Sequence, residues 1–289
     1  MMFLGTAAAD AMPNPFCDCP ICVDARLHPQ RQRMRSMFQL DAENLIDCGP
    51  DLAATCMRWS VNLSSLKNIF LTHTHEDHFC SSNAGLLRMS CSRNSVPVDV
   101  YLSASAYDTL LRLRTLLGNG WRHMDAVKAF DHGLVRLHPV TVFEPFVVDG
   151  QQILPVRTTH RASETETAIN YLIQRANGKK LLYACDTGIY PEDTLEALQN
   201  SAVDTLVMEA TFGSRTDNDT SSHLNCEAFL KMLELLTVYG VIRKDTKVFA
   251  THINHKHDFT HDLMQKWFDE RAAMPVTVAC DGLCAERGN

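Results

Sequence analysis

The sequence predicts a single domain of the α/β (or α+β) class, with sheets inside and helices outside. Short apolar runs of strand length recur along the 289 residues, and segments of helical periodicity lie between some of them. Hydrophobic residues make up 45% and charged residues 21% of the chain, which is typical of a globular protein and excludes a disordered or fibrous one. We therefore expect one domain over residues 1–289, since a chain of this length can bury a full hydrophobic core without disulfide bonds or other cross-links.

The apolar runs predict the strands. The N-terminal stretch 1–16 is interpreted as the first strand and turn rather than as a signal peptide, because no Lys or Arg precedes its short apolar part and Pro13 and Pro15 interrupt it. Nine further strands are predicted at 44–47, 68–72, 98–102, 153–156, 170–173, 181–184, 205–208, 248–251 and 276–279.

Helical periodicity predicts four helices, and we expect strands to dominate early in the chain and helices later. In the first helical segment, Leu110, Leu113 and Leu117 recur at helical spacing. The four segments are 106–117, 191–199, 224–236 and 263–271. The stretch 116–138 fits no single pattern, and we interpret it as an insertion, a lid or a dimer contact, so that a homodimer is one expectation.

Charge and composition limit which binding partners and which cellular location we expect for the protein. The 27 Lys and Arg against 34 Asp and Glu give a net charge of −7, which counts against a dedicated nucleic-acid binder. No apolar run approaches the roughly 18 residues that a membrane-spanning helix needs. The cysteines number eleven, and we interpret the scattered ones, such as Cys48, Cys56, Cys91 and Cys185, as buried, reduced thiols. We expect a cytoplasmic protein.

The strongest motif is Thr72-His73-Thr74-His75-Glu76-Asp77-His78, which begins where a predicted strand ends. Alternation in a tight turn can direct His73 and His75 to one point while Asp77 and His78 face a neighbouring point. Imidazole and carboxylate groups are ligands for zinc, manganese or iron. A polar surface turn is the alternative, but four potential ligands in six residues favour a metal site.

Three further candidate ligands follow other predicted strands. They are His160, Asp186 (in Cys185-Asp186-Thr187-Gly188) and His252. Each has an ordinary alternative taken singly, as a hydrogen-bonded loop residue or a turn. Their shared position after apolar strands, where loops gather, indicates a common site.

With these residues in place, the chain resembles the metallo-β-lactamase fold superfamily. Matching features, in the same order, are the aspartate of Leu45-Ile46-Asp47-Cys48-Gly49, the His-x-His-x-Asp-His block, and then His160, Asp186 and His252. The resemblance implies an αββα sandwich with a two-metal site at one edge. By position it implies one metal held by His73, His75 and His160, a second metal held by Asp77, His78 and His252, and Asp186 as the bridge. Such a fold hosts many reactions, so it does not decide the chemistry.

A second cluster, Cys17-Asp18-Cys19-Pro20-Ile21-Cys22, places three soft ligands in a short loop. A Cys₃His structural zinc site would need one histidine, for which His255 is the leading candidate and His257 and His28 are rivals. Three reduced cysteines without a metal are the alternative.

This cluster narrows the resemblance to two groups. The chain is similar to the cyclic-phosphate phosphodiesterase of the carbon–phosphorus lyase pathway and to the pyrroloquinoline quinone biosynthesis protein B group. The former implies a structural zinc on Cys17, Cys19, Cys22 and His255. Where that group tends to continue His-Ile-Asn-Asn, this chain has His252-Ile253-Asn254-His255, so the substrate does not carry over.

The expected function is a binuclear metal-dependent hydrolase, with two catalytic zinc or manganese ions (or iron) and one structural zinc. Two such metals suit the hydrolysis of a small linear or cyclic phosphodiester. Asp77 and His223 are the candidate catalytic residues, His223 as proton donor or phosphate clamp. Alternatively His223 only starts a helix capped by Ser221 or Ser222. The other functions are a lactonase or thioesterase, a redox member in cofactor biosynthesis and, less favoured, a transfer-RNA nuclease.

Overall fold

The computed structural model describes residues 1–91, 96–121, 125–217 and 219–286, without the side chains of 114–127. Within these described residues, thirteen strands form two sheets. The first sheet has the order β1-β2-β3-β4-β5-β6 and the second the order β13-β12-β11-β10-β9-β8-β7. The strands of the first sheet are β1 (Met2–Gly5), β2 (Met37–Gln39), β3 (Asn44–Ile46), β4 (Asn68–Phe70), β5 (Val98–Ser103) and β6 (Val135–Val140). Those of the second are β7 (Phe146–Val148), β8 (Gln151–Arg161), β9 (Thr167–Gln174), β10 (Lys180–Ala184), β11 (Val203–Glu209), β12 (Ile242–Thr251) and β13 (Val276–Val278).

Helices cover the outer faces of both sheets. They are α1 (Pro20–Leu27), α2 (Leu52–Trp59), α3 (Asn83–Met89), α4 (Ala104–Trp121), α5 (Asp125–Asp131), α6 (Glu192–Leu198), α7 (Cys226–Val238) and α8 (His261–Arg271). A short 3-10 turn spans Pro29–Arg31. Among the described residues, no helix is long and apolar enough to cross a bilayer.

The core has three apolar layers, which is the signature of a four-layer sandwich. Phe38, Phe70, Tyr171 and Tyr183 belong to the layer between the two sheets. A second layer packs the first sheet against α2 to α5, and a third packs the second sheet against α6, α7 and α8. The expected αββα sandwich is confirmed.

Each sheet begins antiparallel and becomes parallel. Strands β3 to β6 pair in parallel, and so do β10 to β13. Parallel pairing needs a crossover, and α6, α7 and α8 supply it between successive strands of the second sheet. The carboxyl ends of these parallel strands lie at one edge of each sheet, where ligand sites form in such folds.

The N-terminal strand and all nine further strands predicted from the sequence are present, but the expected distribution of helices is wrong. Helices α1, α2 and α3 lie in the first third of the chain, where we expected strands to dominate. Each has only seven or eight residues, too short to show a clear helical period.

The stretch 116–138 contains the end of α4, then α5, and the start of β6. Strand β6 pairs with β5 over six residues, and Leu134 and Val135 are buried. This end of the stretch is therefore part of the first sheet. Residues 122–124 lie outside the described residues.

Candidate metal centre

Asp47 and several candidate ligands lie where parallel strands end, whereas His160, expected after a strand, lies inside the antiparallel strand β8 beside its last residue. Asp47 follows β3, His73 follows β4, Asp186 follows β10, and His252 follows β12. Three of them have left-handed backbones, with φ of 62° at Asp47, 57° at Asp186 and 56° at His252. Asp and His tolerate this conformation better than bulky or branched residues, and such backbones cluster at functional sites. The chain turns sharply at each strand end and brings these side chains to one place.

One group of donors contains His73, His75, His160 and Asp186, whose ligand atoms lie within 4.8 Å of one another. The Nε2 atom of His73 lies 2.9 Å from Nδ1 of His75, and Nε2 of His160 lies 3.3 Å from the same Nδ1. The carboxylate of Asp186 lies 3.2 Å from Nε2 of His73. These are the residues that the sequence predicted for the first metal, and the fold brings them together.

Hydrogen bonds behind these rings fix which nitrogen faces inward. The Thr72 hydroxyl donates to Asp47, so its oxygen accepts from Nδ1 of His73 at 3.0 Å. Nε2 of His75 donates to the carbonyl of Ala162 at 3.0 Å. The two facing nitrogens, Nε2 of His73 and Nδ1 of His75, therefore both present lone pairs and cannot hydrogen-bond to each other. A shared cation is the arrangement that satisfies them.

A second group contains His78, His252 and Asp186, with Asp77 beside them. Nε2 of His78 lies 3.3 Å from Nε2 of His252. The Asp77 carboxylate lies 3.2 Å from the first of these nitrogens and 3.5 Å from the second. These are the residues predicted for the second metal.

The same reasoning fixes these two rings. Nδ1 of His78 donates to Asp47 at 2.6 Å. The Thr211 hydroxyl donates to Glu209, so its oxygen accepts from Nδ1 of His252 at 2.8 Å. The two Nε2 atoms face each other, as two ligands of one cation would. Burial alone would lower the pKa of His78, but the carboxylates of Asp186, Asp77 and Asp47 raise it well above its usual value, so they favour a positive charge at this position.

Asp186 contacts both groups. One carboxylate oxygen lies 3.2 Å from Nε2 of His73 and 3.0 Å from Nε2 of His78, and the other lies 3.0 Å from Nε2 of His252. The residue is almost fully buried. Its place between the groups is the one that a bridging carboxylate needs.

The charges of the site suit cations. Burial lowers the pKa of His73 well below its usual value and also lowers the pKa of His160, so both rings are neutral donors. Burial alone would raise the pKa of Asp186, but His252 and His78 hold it well below its usual value, so the carboxylate is ionised. Nδ1 of His160 is buried without a partner in the described structure. The neutral rings of His73 and His160, together with carboxylates that attract positive charge, fit a pair of divalent metals.

His223 lies at the rim of the same site. Its ring is 4.6 Å from that of His160 and stacks on that of His252 at 5.9 Å. The cap of the following helix is Asn225, whose side chain accepts from the Ala228 amide, so the alternative with Ser221 or Ser222 as the cap is wrong. His223 is a loop residue beside the candidate metal ligands.

Glu209, which we did not predict from the sequence, holds His223. Its carboxylate is fully buried and accepts from Nδ1 of His223 at 2.9 Å and from the amides of Thr187 and Leu224. Burial alone would lower the pKa of His223, but the attraction and hydrogen bond of Glu209 raise it to about 9. Glu209 ends β11 in Met208-Glu209-Ala210-Thr211, so the rule that identified Asp186 and His252, an ionisable residue at a strand end, could have found it.

The cysteine cluster forms a separate group. Cys17, Cys19, Cys22 and His255 place their ligand atoms within 4.8 Å of one another. Nδ1 of His255 lies 3.6 Å from the sulfur of Cys17 and 3.5 Å from that of Cys19. The rival His28 instead contacts Asp24, and His257 lies against Gly213. The fold thus brings His255 to the three cysteines.

The environment of Cys19 favours a thiolate. Cys19 is the N-cap residue of α1, where backbone N–H groups favour negative charge. Burial would raise the pKa of Cys19, but hydrogen bonds from the Cys22 amide and from His255 lower it to about 7. A closed set of three sulfurs and one imidazole fits a structural zinc.

The scattered cysteines are only partly as expected. All are free thiols, and Cys48 and Cys185 are buried, but Cys91 is exposed and Cys56 half-buried. Cys185 lies in the second donor group, where burial raises its pKa well above the usual value.

Comparison with known proteins agrees with this geometry. The sequence family described as the beta-lactamase superfamily domain matches residues 44–253. The chain belongs to this family. The matched residues 44–253 of this chain include every predicted residue of the histidine and aspartate groups. They do not include the cysteine loop at 17–22 or His255.

One curated relative of this beta-lactamase superfamily member is the coenzyme PQQ synthesis protein B of Methylobacterium radiotolerans. It is 28% identical over 209 residues, which cover 63% of this chain and 64% of the relative. The chain thus spans just under two thirds of that relative's length.

Two solved structures share the fold over nearly the whole chain. A diphosphatase of the PhnP family has a TM-score of 0.72 at 21% identity, with 98% of this chain and 94% of that chain covered. Zn²⁺-bound PqqB of Methylobacterium extorquens has a TM-score of 0.71 at 20% identity, with 98% of both chains covered. The metallo-β-lactamase fold predicted from the sequence is confirmed, and the family and its fold support a metal-dependent hydrolase.

Proposed function

We propose that the protein is a binuclear metal-dependent phosphodiesterase that acts on small phosphate diesters, linear or cyclic. The observation that carries this proposal is the pairing of His223 with Glu209 at the rim of the two donor groups. A protonated imidazole beside a metal pair is what the departure of an alkoxide requires. Thioester hydrolysis does not need this group in the same way, because a thiolate leaves without a proton, whereas lactone hydrolysis also releases an alkoxide.

The contacts between the proposed ligands assign them to two metals. His73, His75 and His160 would hold one metal, Asp77, His78 and His252 the other, and Asp186 both. A pair of divalent ions, when bound, supplies a nucleophile from water at neutral pH and neutralises charge on phosphate oxygens. Zinc and manganese suit this donor set, and iron is the alternative.

His223 would act as the proton donor. With a pKa raised to about 9 by Glu209, it carries its proton at neutral pH. Nδ1 is engaged by Glu209, so Nε2 remains to donate to a leaving oxygen or to a phosphate oxygen. The side chain is 18% exposed, which leaves it accessible to a substrate.

The cysteine group would hold one structural zinc. His255 lies three residues after His252, so a metal on Cys17, Cys19, Cys22 and His255 would tie the N-terminal loop to the segment that carries a proposed catalytic ligand. Four protein donors leave no open coordination position, which argues for stability rather than catalysis.

The comparisons support phosphate chemistry through one neighbour, the diphosphatase of the PhnP family. They also favour a second candidate, a step in cofactor biosynthesis, because a curated relative is a coenzyme PQQ synthesis protein. Iron bound in the purified protein, together with inert phosphodiesters, would favour this second function.

The test is a phosphorus-31 NMR time course on protein reconstituted with zinc or manganese. The substrates are a mixture of linear and cyclic phosphodiesters, and a metal-stripped sample is the control. We expect the metal-dependent loss of at least one diester signal. If a sample with its full metal content leaves every diester intact, the phosphodiesterase proposal is wrong.

The variant His223→Ala tests the proton donor. We expect kcat for an alkyl diester to fall by about 10²–10⁴-fold, the usual worth of a general acid. A nitrophenyl diester, whose leaving group needs no proton, should lose much less, and the metal content should not change. Equal losses for both substrates would contradict the role as acid, and no loss for either would remove His223 from the mechanism.

A further inference from the structure

A buried carboxylate lies directly behind the His-x-His segment. Glu166, in the turn between β8 and β9, is only 1% exposed. Its Oε1 accepts from the amide of Thr74 at 2.8 Å, and its Oε2 accepts from the Thr74 hydroxyl at 2.6 Å and from the Thr109 hydroxyl at 2.9 Å. The carboxylate thus binds both donors of the residue between His73 and His75.

Glu166 has no cationic partner among the residues that the structure describes. Its three hydrogen bonds come from one amide and two hydroxyl groups. A buried carboxylate is costly unless it is compensated, and an apolar or amide side chain could fill this space at lower cost. Its position beside a group of cation-binding donors suggests what compensates it.

The same turn holds His75 from its other side. The carbonyl of Ala162 accepts from Nε2 of His75 at 3.0 Å, and the Ala162 amide donates to the Glu166 carbonyl at 2.9 Å. His75 is therefore fixed at its ring by Ala162 and at its backbone by Glu166 through Thr74. Both constraints come from one five-residue turn of the second sheet, although His75 follows a strand of the first.

We propose that Glu166 is a positioning residue for the metal centre. It holds Thr74 so that Nδ1 of His75 faces Nε2 of His73, and it supplies negative charge behind the metal-binding face. The contact with Thr109 adds helix α4 to the same carboxylate. This inference rests on the metal centre of the proposed function, but not on the identity of the substrate.

The test compares cobalt binding in four proteins. The wild type, Glu166→Ala, Glu166→Gln and Thr109→Val are stripped of metal and titrated with Co²⁺, and visible absorbance gives the dissociation constant and the ligand field. Thiolate charge-transfer bands in the near ultraviolet identify cobalt on the cysteine group separately. Thermal unfolding of the metal-free proteins measures the purely structural contribution.

We expect Glu166→Ala to weaken cobalt binding at the histidine group by about 10–100-fold, the usual effect of losing a partner behind a metal ligand. Its visible spectrum should change, because His75 is no longer fixed. Glu166→Gln should lie closer to the wild type, since its amide can still bond the Thr74 amide and both hydroxyls. Thr109→Val leaves both Thr74 contacts in place and should bind cobalt like the wild type.

A purely structural Glu166 would give another pattern. Both Glu166 variants would unfold at lower temperature, with an unchanged dissociation constant and spectrum, and that result would overturn the proposal. If Glu166→Ala does not fold, Thr74→Ala replaces it, because this variant removes one of the three hydrogen bonds and leaves the carboxylate. Wild-type protein that binds cobalt only through thiolates would instead overturn the histidine metal centre and this inference with it.

Discussion

The two donor groups of this protein are built in opposite ways. The histidine and aspartate groups collect ligands from both sheets, from His73 to His252, and each ligand lies at or near the end of a strand. The cysteine group takes three of its four donors from the six residues 17–22, at the start of α1. The first depends on the whole fold, whereas the second is largely local.

The surroundings of the two donor groups also differ. The rings of the first group are held by hydrogen bonds that they donate to Asp47, Thr72 and Thr211, and His223 opens one side to solvent. The cysteine group has four donors of its own, of which Cys22 and His255 are buried and Cys17 and Cys19 are partly exposed. The comparison favours the proposed roles, in which the first group is a site open to a substrate and the second a structural site with four protein donors. The two meet at one segment, because His252 and His255 are three residues apart.

The largest expected effect comes from Asp186→Ala. Because Asp186 contacts ligands of both groups, its loss should empty or unbalance the metal pair, and we expect activity to fall by at least about 10³-fold. Metal analysis by mass spectrometry should show loss of catalytic metal, while the cysteine-bound zinc stays. Asp193→Ala is the matched control, since Asp193 is an exposed carboxylate that pairs with exposed Arg157. Full metal content in Asp186→Ala would refute the assignment.

The complementary variant is Cys19→Ser. It should remove about one zinc per chain and destabilise the protein by on the order of 3 kcal/mol, because a structural metal contributes directly to folding. Activity should fall only through movement of the segment between His252 and His255. Cys91→Ser, at an exposed thiol, is the control and should change neither quantity. Unchanged zinc content in Cys19→Ser would mean that the cysteines bind no metal.

The same contrast explains what the sequence could predict. The His-x-His-x-Asp-His block and the cysteine loop are contiguous, so their spacing identified the donors directly. Asp186 and His252 were found because they follow apolar runs that can only be buried strands. His255 could be ranked above His28 and His257 but not chosen from residues alone, since the choice depends on how the chain leaves β12.

What the sequence could not predict depends on contacts between distant residues. Glu209 and Glu166 are ordinary acidic residues until the fold places one beside His223 and the other beside Thr74. The left-handed backbones at Asp47, Asp186 and His252 likewise have no sequence signature. Short helices such as α2 were not predicted, because eight residues complete only about two helical turns and show no clear period.

The smallest expected effect is a pH dependence of the stability near the cysteine group, which is not expected to come from the donor groups themselves. Near the cysteine group, His261 starts α8 and accepts from the buried Arg33 guanidinium at 2.9 Å. Burial, with Arg33 adding its positive charge, lowers the pKa of His261 to about 4. The unfolded chain takes up this proton near pH 6.5, so the folded protein binds fewer protons between pH 6.5 and 4. Stability from this group is present above pH 6.5 and is lost as the pH falls towards 4.

The variant His261→Asn should remove this dependence, because Asn still accepts from Arg33 but does not titrate. The ring is partly exposed, so solvent screening reduces the effect to about 1 kcal/mol across this pH range. Denaturant unfolding of metal-loaded protein at several pH values between 4 and 7 measures it as the difference between variant and wild type. His132→Asn, at an exposed position, is the control. The wild type and His261→Asn could instead lose stability in parallel as the pH falls. That result would mean that the donor groups, and not the contact of His261 with Arg33, cause the loss of stability in acid.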